Sequence, residues 1–192
     1  MDKIVFFNIA WMKYYRGVTL GDTPKHGGEY IEENGFGSEV YNFQPYNGKV
    51  YGFVEAGWNS GRKLCNVNIN NLGANSRDGR ISGILVVWVA RHADHPGTVV
   101  VGWYQNATIH RKRQAAPRGS ARKLPDGTDA IYFAEADQQN SHLIPIAARC
   151  FNIPRAREGQ EGIGQKNIWY ADSQFGEKVK SEVLEYISEL TG

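Results

Sequence analysis

The sequence predicts an α+β fold in which a small, curled, mostly antiparallel sheet closes into a β-barrel, flanked by helices and followed by a C-terminal amphipathic helix. Most apolar runs are rich in β-branched and aromatic residues and lack helical spacing, and turn signals such as Asn-Gly and Pro-Gly separate them. Helical periodicity is confined to the end of the chain. The 192 residues are enough for one well-buried core, so residues 1–192 are expected to form a single domain.

The first part of the chain supplies two strands separated by a glycine-rich loop. Residues 3–10, KIVFFNIA, form the first predicted strand. The stretch GGEYIEENGFGSEVYNF, residues 27–43, is punctuated by glycines and is expected to be a loop with a short strand. The Asn47-Gly48 pair lies between two apolar runs and indicates a hairpin, after which residues 49–56 form the second strand.

The later elements complete a sheet of five or six strands. Residues 81–92 and 97–113 are the most β-prone segments and are joined by a Pro-Gly turn, which predicts a long hairpin at the centre of the sheet. Residues 130–136 form a further strand. An apolar stripe near 3.6 spacing then predicts a helix that caps the sheet. Its members are Val179, Val183, Leu184, Ile187 and Leu190.

The sequence lacks the characteristic segments and motifs of several classes of protein. No apolar run is long enough to span a membrane and the N-terminus does not resemble a signal peptide, so we expect a cytoplasmic protein without a membrane partner. Nucleophile-elbow, P-loop and HExxH motifs are missing, and the cluster His92, Asp94 and His95 falls in a predicted turn. Cys65 and Cys150 lack metal-ligand spacing. We expect no catalysis, no metal and no cofactor.

Positive charge is concentrated in one segment. Residues 95–125 contain no acidic side chain, and without the cations of this segment the rest of the chain would be net acidic. Cations that follow a strand carrying aromatic residues are typical of sites that bind phosphates beside stacked bases. The predicted contacts to a nucleic-acid backbone are Arg111, Lys112, Arg113, Arg118, Arg122 and Lys123.

Aromatic residues in polar loops indicate a base-binding pocket. WMKYYRG, residues 11–17, interleaves three rings with two cations, and Trp58 lies in the loop GWNSGRK, which offers little core for it to join. Rings from two such loops would hold a flat base between them while asparagine side chains contact its edge. Trp88 is expected in the core, and Trp103 is either core or pocket wall. The predicted pocket residues are Trp11, Tyr14, Tyr15, Trp58, Trp103, Asn8 and Asn42.

The order of these segments resembles the PUA-like superfamily, especially its EVE and YTH branches. The resemblance rests on VFFNIA, WMKYYRG and KVYGFVEA with its following tryptophan. GGEYIEENGFGSEVYNF, VVVGWYQNATIHR and GIGQKNIWYAD are similar to N-terminal specificity domains of prokaryotic modification-dependent restriction endonucleases. The resemblance implies a domain that flips a modified base of double-stranded DNA into an aromatic cage formed by Trp11, Trp58 and one tyrosine. It also implies that a covalently linked nuclease domain lies elsewhere in a longer protein.

Two other functions remain open from the sequence. PUA-like domains also bind RNA, so the partner is either DNA or RNA. In the third hypothesis, the chain is a small-molecule hydrolase or a structural interaction domain whose aromatic residues line a groove for a sugar or peptide. Binding to such neutral ligands would show little dependence on salt.

Overall fold

The computed structural model describes residues 3–27, 36–61, 63–156, 161–164 and 166–192, and these contain eight strands and one α-helix. The strands are β1 (Lys3–Ile9), β2 (Lys49–Gly52), β3 (Arg80–Arg91), β4 (Thr98–Ala115), β5 (Ile131–Asp137), β6 (Ser141–Leu143), β7 (Asn152–Ile153) and β8 (Ile168–Trp169). The helix is α1 (Gln174–Thr191). Residues 28–35 of the predicted 27–43 loop lie outside the described ranges, and Ser38–Tyr41 form a 3₁₀ helix.

All described strands belong to one mixed sheet built around the β3–β4 hairpin. The strand order is β2-β5-β4-β3-β1-β8, with β6 and β7 also paired to β4. The β1–β3 ladder is parallel and the other ladders are antiparallel, as expected for a mostly antiparallel sheet. The expectation of a barrel with five or six strands is not confirmed. The main path contains six of the eight described strands and has β2 and β8 at its ends, and these two strands do not pair.

Side chains alternate between two apolar cores on the two faces of the central strands. Along β3, the residues Ile84, Val86 and Trp88 face one core, and Leu85 and Val87 face the other. The predicted core position of Trp88 is confirmed, because this side chain is fully buried. Strands covered on both faces read as continuous apolar runs, which explains the composition of ILVVWVA.

The C-terminal helix caps the second core as its apolar stripe predicts. Val179, Val183 and Ile187 are buried against the sheet, whereas Leu190 is exposed beyond the end of the packed face. The helix begins after Ser173, whose side-chain oxygen accepts a hydrogen bond from the Gly176 N–H at 3.0 Å. A serine in this position satisfies one of the free N–H groups of the first turn.

The Asn-Gly signal before β2 marks a tight two-residue turn. Asn47 and Gly48 have φ values of 48° and 74°, and Tyr46 pairs with Lys49 across them. Two consecutive positive φ values characterise the type I′ turn, which asparagine and glycine adopt at low cost. The predicted turn is therefore present, but a single bridge closes it, and β2 pairs with β5 instead of with the preceding segment.

A separate finding concerns the helices. Within the described ranges, none is both long enough and apolar enough to span a lipid bilayer.

Gly52→Ala tests the packing where β2 meets the first core. An added Cβ would lie 2.6 Å from Cη2 of the buried Trp88 ring. Such overpacking should lower the free energy of unfolding by about 1–3 kcal/mol, measured by chemical denaturation. Gly21→Ala is the control, because its added Cβ meets nothing within 4 Å. Equal stability of the two variants would contradict the described packing.

Candidate nucleic-acid interface

A surface pocket of about 540 Å³ lies beside the outer end of the sheet and is formed by three separate segments. The first segment follows β2. Asn42 is fully buried and fixes this segment: its Nδ2 donates to the Phe53 carbonyl at 2.9 Å, and its Oδ1 accepts from the Phe53 N–H at 2.8 Å. Glu55 and Trp58 follow and line the pocket. Trp58 pairs with Leu64 in an isolated bridge, and 53% of its surface is exposed.

The second segment is an asparagine-rich stretch, CNVNINNL, residues 65–72. Its apolar members Val67, Ile69 and Leu72 are buried in the first core. Alternation along the extended part turns the intervening asparagines outward. Asn66, Asn68 and Asn71 line the pocket, and the Asn68 Nδ2 donates to the Asn71 Oδ1 at 3.1 Å.

The third segment, residues 166–170, is held by the first strand. The Asn8 N–H donates to the Asn167 carbonyl at 2.8 Å, and the Asn8 Nδ2 donates to the Asn167 Oδ1 at 3.1 Å. Lys166, Asn167 and Tyr170 line the pocket. Burial raises the pKa of the Tyr170 hydroxyl to about 12, so this side chain remains neutral at physiological pH.

A buried carboxyl lies near the pocket. Glu39 is buried, and its Oε1 accepts the Ala10 N–H at 2.5 Å. Burial raises the pKa of the Glu39 carboxyl to about 7, and the charge of Glu55 adds to the rise, whereas the hydrogen bond from Ala10 opposes it. Glu39 therefore exchanges its proton close to neutral pH in the folded protein.

The structure brings only part of the predicted cage to this pocket. Trp58 lines it, and Asn8 contacts it indirectly through Asn167. Tyr14 is as exposed as Trp58, at 57%, but is not among the residues that line the pocket. Asn8 is not among the residues that line the pocket, and its amide nitrogen donates to Asn167.

Trp11 and Tyr15 are not exposed pocket residues, and a cage that joins Trp11 to Trp58 is not present. Only 5% of the Trp11 surface is accessible, and its ring packs 4.4 Å from the His92 ring and 5.0 Å from the Arg149 guanidinium. Tyr15 is fully buried, and its hydroxyl donates to the Ala10 carbonyl at 2.9 Å. Both rings pack against the buried Arg149 guanidinium, so their role is structural.

Trp103 and Asn42 were also expected near the ligand and are buried. Trp103 faces the second core, and its ring stacks on the His142 ring with centroids 4.9 Å apart. Of the two positions that the sequence left open for Trp103, the structure therefore shows the core position. Asn42 uses its amide on the Phe53 backbone. In this structure neither side chain is open to a base.

The six predicted backbone-binding cations divide into two groups. Lys112, Arg113 and Arg118 are exposed. The other three form contacts within the chain, although the Lys123 side chain is still 56% exposed. Arg111 donates to the Asp78 carbonyl, the Asn70 Oδ1 and the Asn75 carbonyl. Arg122 is buried and donates to the Tyr51 and Gln44 carbonyls, and Lys123 forms an ion pair with Asp129 at 2.7 Å.

Sequence reasoning missed the asparagines of the second segment and Asn167. A usable signal was present in residues 66–70, where asparagine alternates with valine and isoleucine. An alternating pattern predicts a half-buried extended segment whose polar members share one side. It does not indicate that this side faces Trp58.

Comparisons with protein-family models, curated proteins and solved structures find no match to this chain. The resemblance to PUA-like domains therefore stays a prediction. In the part of the chain that the structure describes, no three or more His, Cys, Asp or Glu side chains are grouped to hold a metal ion.

Glu39→Gln tests the buried carboxyl. The pKa in the folded state, about 7, exceeds the ordinary value of 4.5, so the folded protein binds the proton more tightly than the unfolded chain. The free energy of unfolding should therefore fall as pH rises from about 4.5 to 7, by up to about 3 kcal/mol. In the Glu39→Gln variant, the free energy of unfolding should no longer fall with pH. Chemical denaturation at several pH values across this range measures it. Glu185→Gln, on the exposed side of α1, should keep it. An unchanged profile in Glu39→Gln would assign the titration to another group.

Arg111→Ala separates a structural role of this cation from a phosphate-binding role. Its charged hydrogen bonds fasten Asn70 and the 75–78 turn, so their loss should lower the free energy of unfolding by about 2–3 kcal/mol. Arg113→Ala removes an exposed neighbour and should change it by less than about 0.5 kcal/mol. Denaturation without nucleic acid measures both. Similar losses in the two variants would mean that the Arg111 contacts contribute little.

Proposed function

We propose that this chain is a DNA-binding domain that recognises a modified base, turned out of the duplex into the Trp58 pocket. The observation that carries the proposal is the combination in one pocket of a half-exposed indole and four asparagine side chains. A flipped base is held by stacking on an aromatic ring and by hydrogen bonds to its polar edge. Both kinds of group are available here.

The exposure of Trp58 supports a ligand-binding role. Burial of an aromatic side chain contributes strongly to stability, and here about half of the ring remains in water. The hairpin that carries it is tied by the Cys65 N–H to the Gly57 carbonyl at 2.8 Å, so the base of the hairpin is fixed. A fixed, exposed ring is suited to stacking because little conformational entropy is lost when a base is bound.

The asparagine amides support recognition of a polar planar ligand. Each amide offers an acceptor oxygen and a donor nitrogen. Within the described chain, Asn167 uses its oxygen on Asn8 and Asn71 uses its oxygen on Asn68, so both keep their donor nitrogens for a ligand. The volume of about 540 Å³ lies within the range of about 300–1,000 Å³ for small-molecule sites. It provides space for a base and part of its sugar.

Nearby cations support a polyanionic partner. Lys166 lines the pocket, and the exposed pair Lys112 and Arg113 follows Arg111, whose guanidinium contacts the pocket segment through Asn70. Cations in this arrangement are suited to phosphates on either side of an extruded nucleotide. A neutral sugar or peptide ligand would not use them.

In this proposal the domain binds DNA and does not cut it. The resemblance to specificity domains of modification-dependent restriction endonucleases supports a role in selecting methylated DNA for a nuclease domain of a longer protein. The same resemblance extends to RNA-binding PUA-like domains. Competition between DNA and RNA oligonucleotides of matched sequence distinguishes the two partners, and preference for RNA would contradict the DNA assignment.

Trp58→Ala tests the pocket. Loss of stacking should weaken binding to a duplex with the recognised base by about ten- to a hundredfold, because stacking contributes about 1–3 kcal/mol per base. Fluorescence anisotropy on short duplexes that differ in one modified base, each at two salt concentrations, measures this change. Tyr14→Ala is the matched control: Tyr14 is equally exposed but lies outside the pocket, so its removal should leave the affinity unchanged. Wild-type affinity in Trp58→Ala would reject the pocket.

A further inference from the structure

Among the described residues that line the Trp58 pocket, Glu55 is the only carboxylate. It is partly buried, and no hydrogen bond or ion pair within the described ranges engages it. Lys166 lines the same pocket without coming within salt-bridge distance. The remaining polar side chains in the lining are mainly asparagines, which are neutral. Among the described residues, the Glu55 carboxylate therefore has no hydrogen-bond donor, and its acceptor oxygens are available to a ligand in the pocket.

The bases differ in what they offer to such an acceptor. An ionised carboxylate accepts hydrogen bonds and cannot donate them. Cytosine and adenine carry an exocyclic amino donor next to a ring-nitrogen acceptor, whereas thymine and uracil carry a carbonyl oxygen in place of the amino group. Acidic side chains accordingly accept from the cytosine amino group in nucleic-acid complexes.

We propose that Glu55 restricts the pocket to bases with an exocyclic amino group, and that it accepts a hydrogen bond from that amino group while the Asn71 or Asn167 Nδ2 donates to the neighbouring ring acceptor. This inference rests on the proposed function and names the class of base that the site takes. The recognised modification is then carried on cytosine or adenine, with at least one amino hydrogen left free.

The preference for amino bases over keto bases comes mainly from the free-energy cost of binding a keto base. A keto base stacked on Trp58 would remove water from the Glu55 carboxylate and place a carbonyl oxygen against it. A charged acceptor deprived of both water and donors is strongly unfavourable. For this reason, a site built to bind an amino group rejects an analogue that lacks it.

The experiment compares each amino base with its keto counterpart at one position of a short duplex. The pairs are 5-methylcytosine and thymine, 5-hydroxymethylcytosine and 5-hydroxymethyluracil, both opposite guanine, and N6-methyladenine and hypoxanthine, both opposite thymine. Thymine opposite guanine is mismatched and therefore easier to extrude than 5-methylcytosine, so weaker binding to it cannot come from the cost of flipping. The wild-type chain should bind at least one amino base about tenfold or more tightly than its keto counterpart.

Glu55→Gln should bring that ratio close to one, because a glutamine amide can donate to a carbonyl oxygen as well as accept from an amino group. Glu189→Gln, exposed on α1, should keep the wild-type ratio. A wild-type chain that binds every keto base as tightly as its amino partner overturns the inference, as does Glu55→Gln with an unchanged ratio. If Trp58→Ala still loses affinity in either case, the pocket itself stands and only the role of Glu55 fails. An unaffected Trp58→Ala would reject both.

Discussion

The segments that form the pocket contain little regular secondary structure, yet their buried backbone groups still require hydrogen-bond partners. Three polar side chains hold these segments in place. Asn42 pairs with both backbone groups of Phe53, Arg111 fastens Asn70, and Asn8 pairs with Asn167. All three were candidates for direct ligand contact on sequence grounds. Their shared role is to set the relative positions of Trp58, the asparagines and Glu55.

A buried arginine has the same function on the segment WMKYYRG. The Arg149 guanidinium donates to the Met12 and Lys13 carbonyls, both at 2.6 Å, and lies 5.0 Å from the Trp11 ring. Carbonyl oxygens and aromatic faces stabilise the buried charge. The burial of Trp11 and Tyr15 is therefore explained by the need to enclose this cation, and Trp11 does not supply the Trp58 pocket with a second indole.

Local patterns in the sequence were sufficient to predict the central strands, the Asn-Gly turn and the helix. Alternation and 3.6 spacing indicate which face of an element is buried. They were insufficient to predict the burial of Trp11, since the residues that cover its ring, His92 and Arg149, lie far away along the chain. The prediction of a closed barrel was not confirmed either. β8 pairs with the outer side of β1, and the sheet ends at β8. The exposure of Trp58 was predictable because the other residues of the loop GWNSGRK are polar or glycine.

The distribution of cations bears on how such a domain would select its target. Because Arg111 and Arg122 donate their hydrogen bonds to carbonyl and amide oxygens of the chain itself, fewer charges of the basic segment face solvent than the sequence implies. Phosphate contacts bind all sequences alike, and each contributes to the salt dependence of binding. Under the proposed function, fewer contacts from the basic segment would weaken affinity for ordinary DNA and leave a larger share of the binding free energy to the base in the pocket. A high ratio of specific to non-specific affinity then depends on Trp58, the asparagines and Glu55, and little on the basic segment.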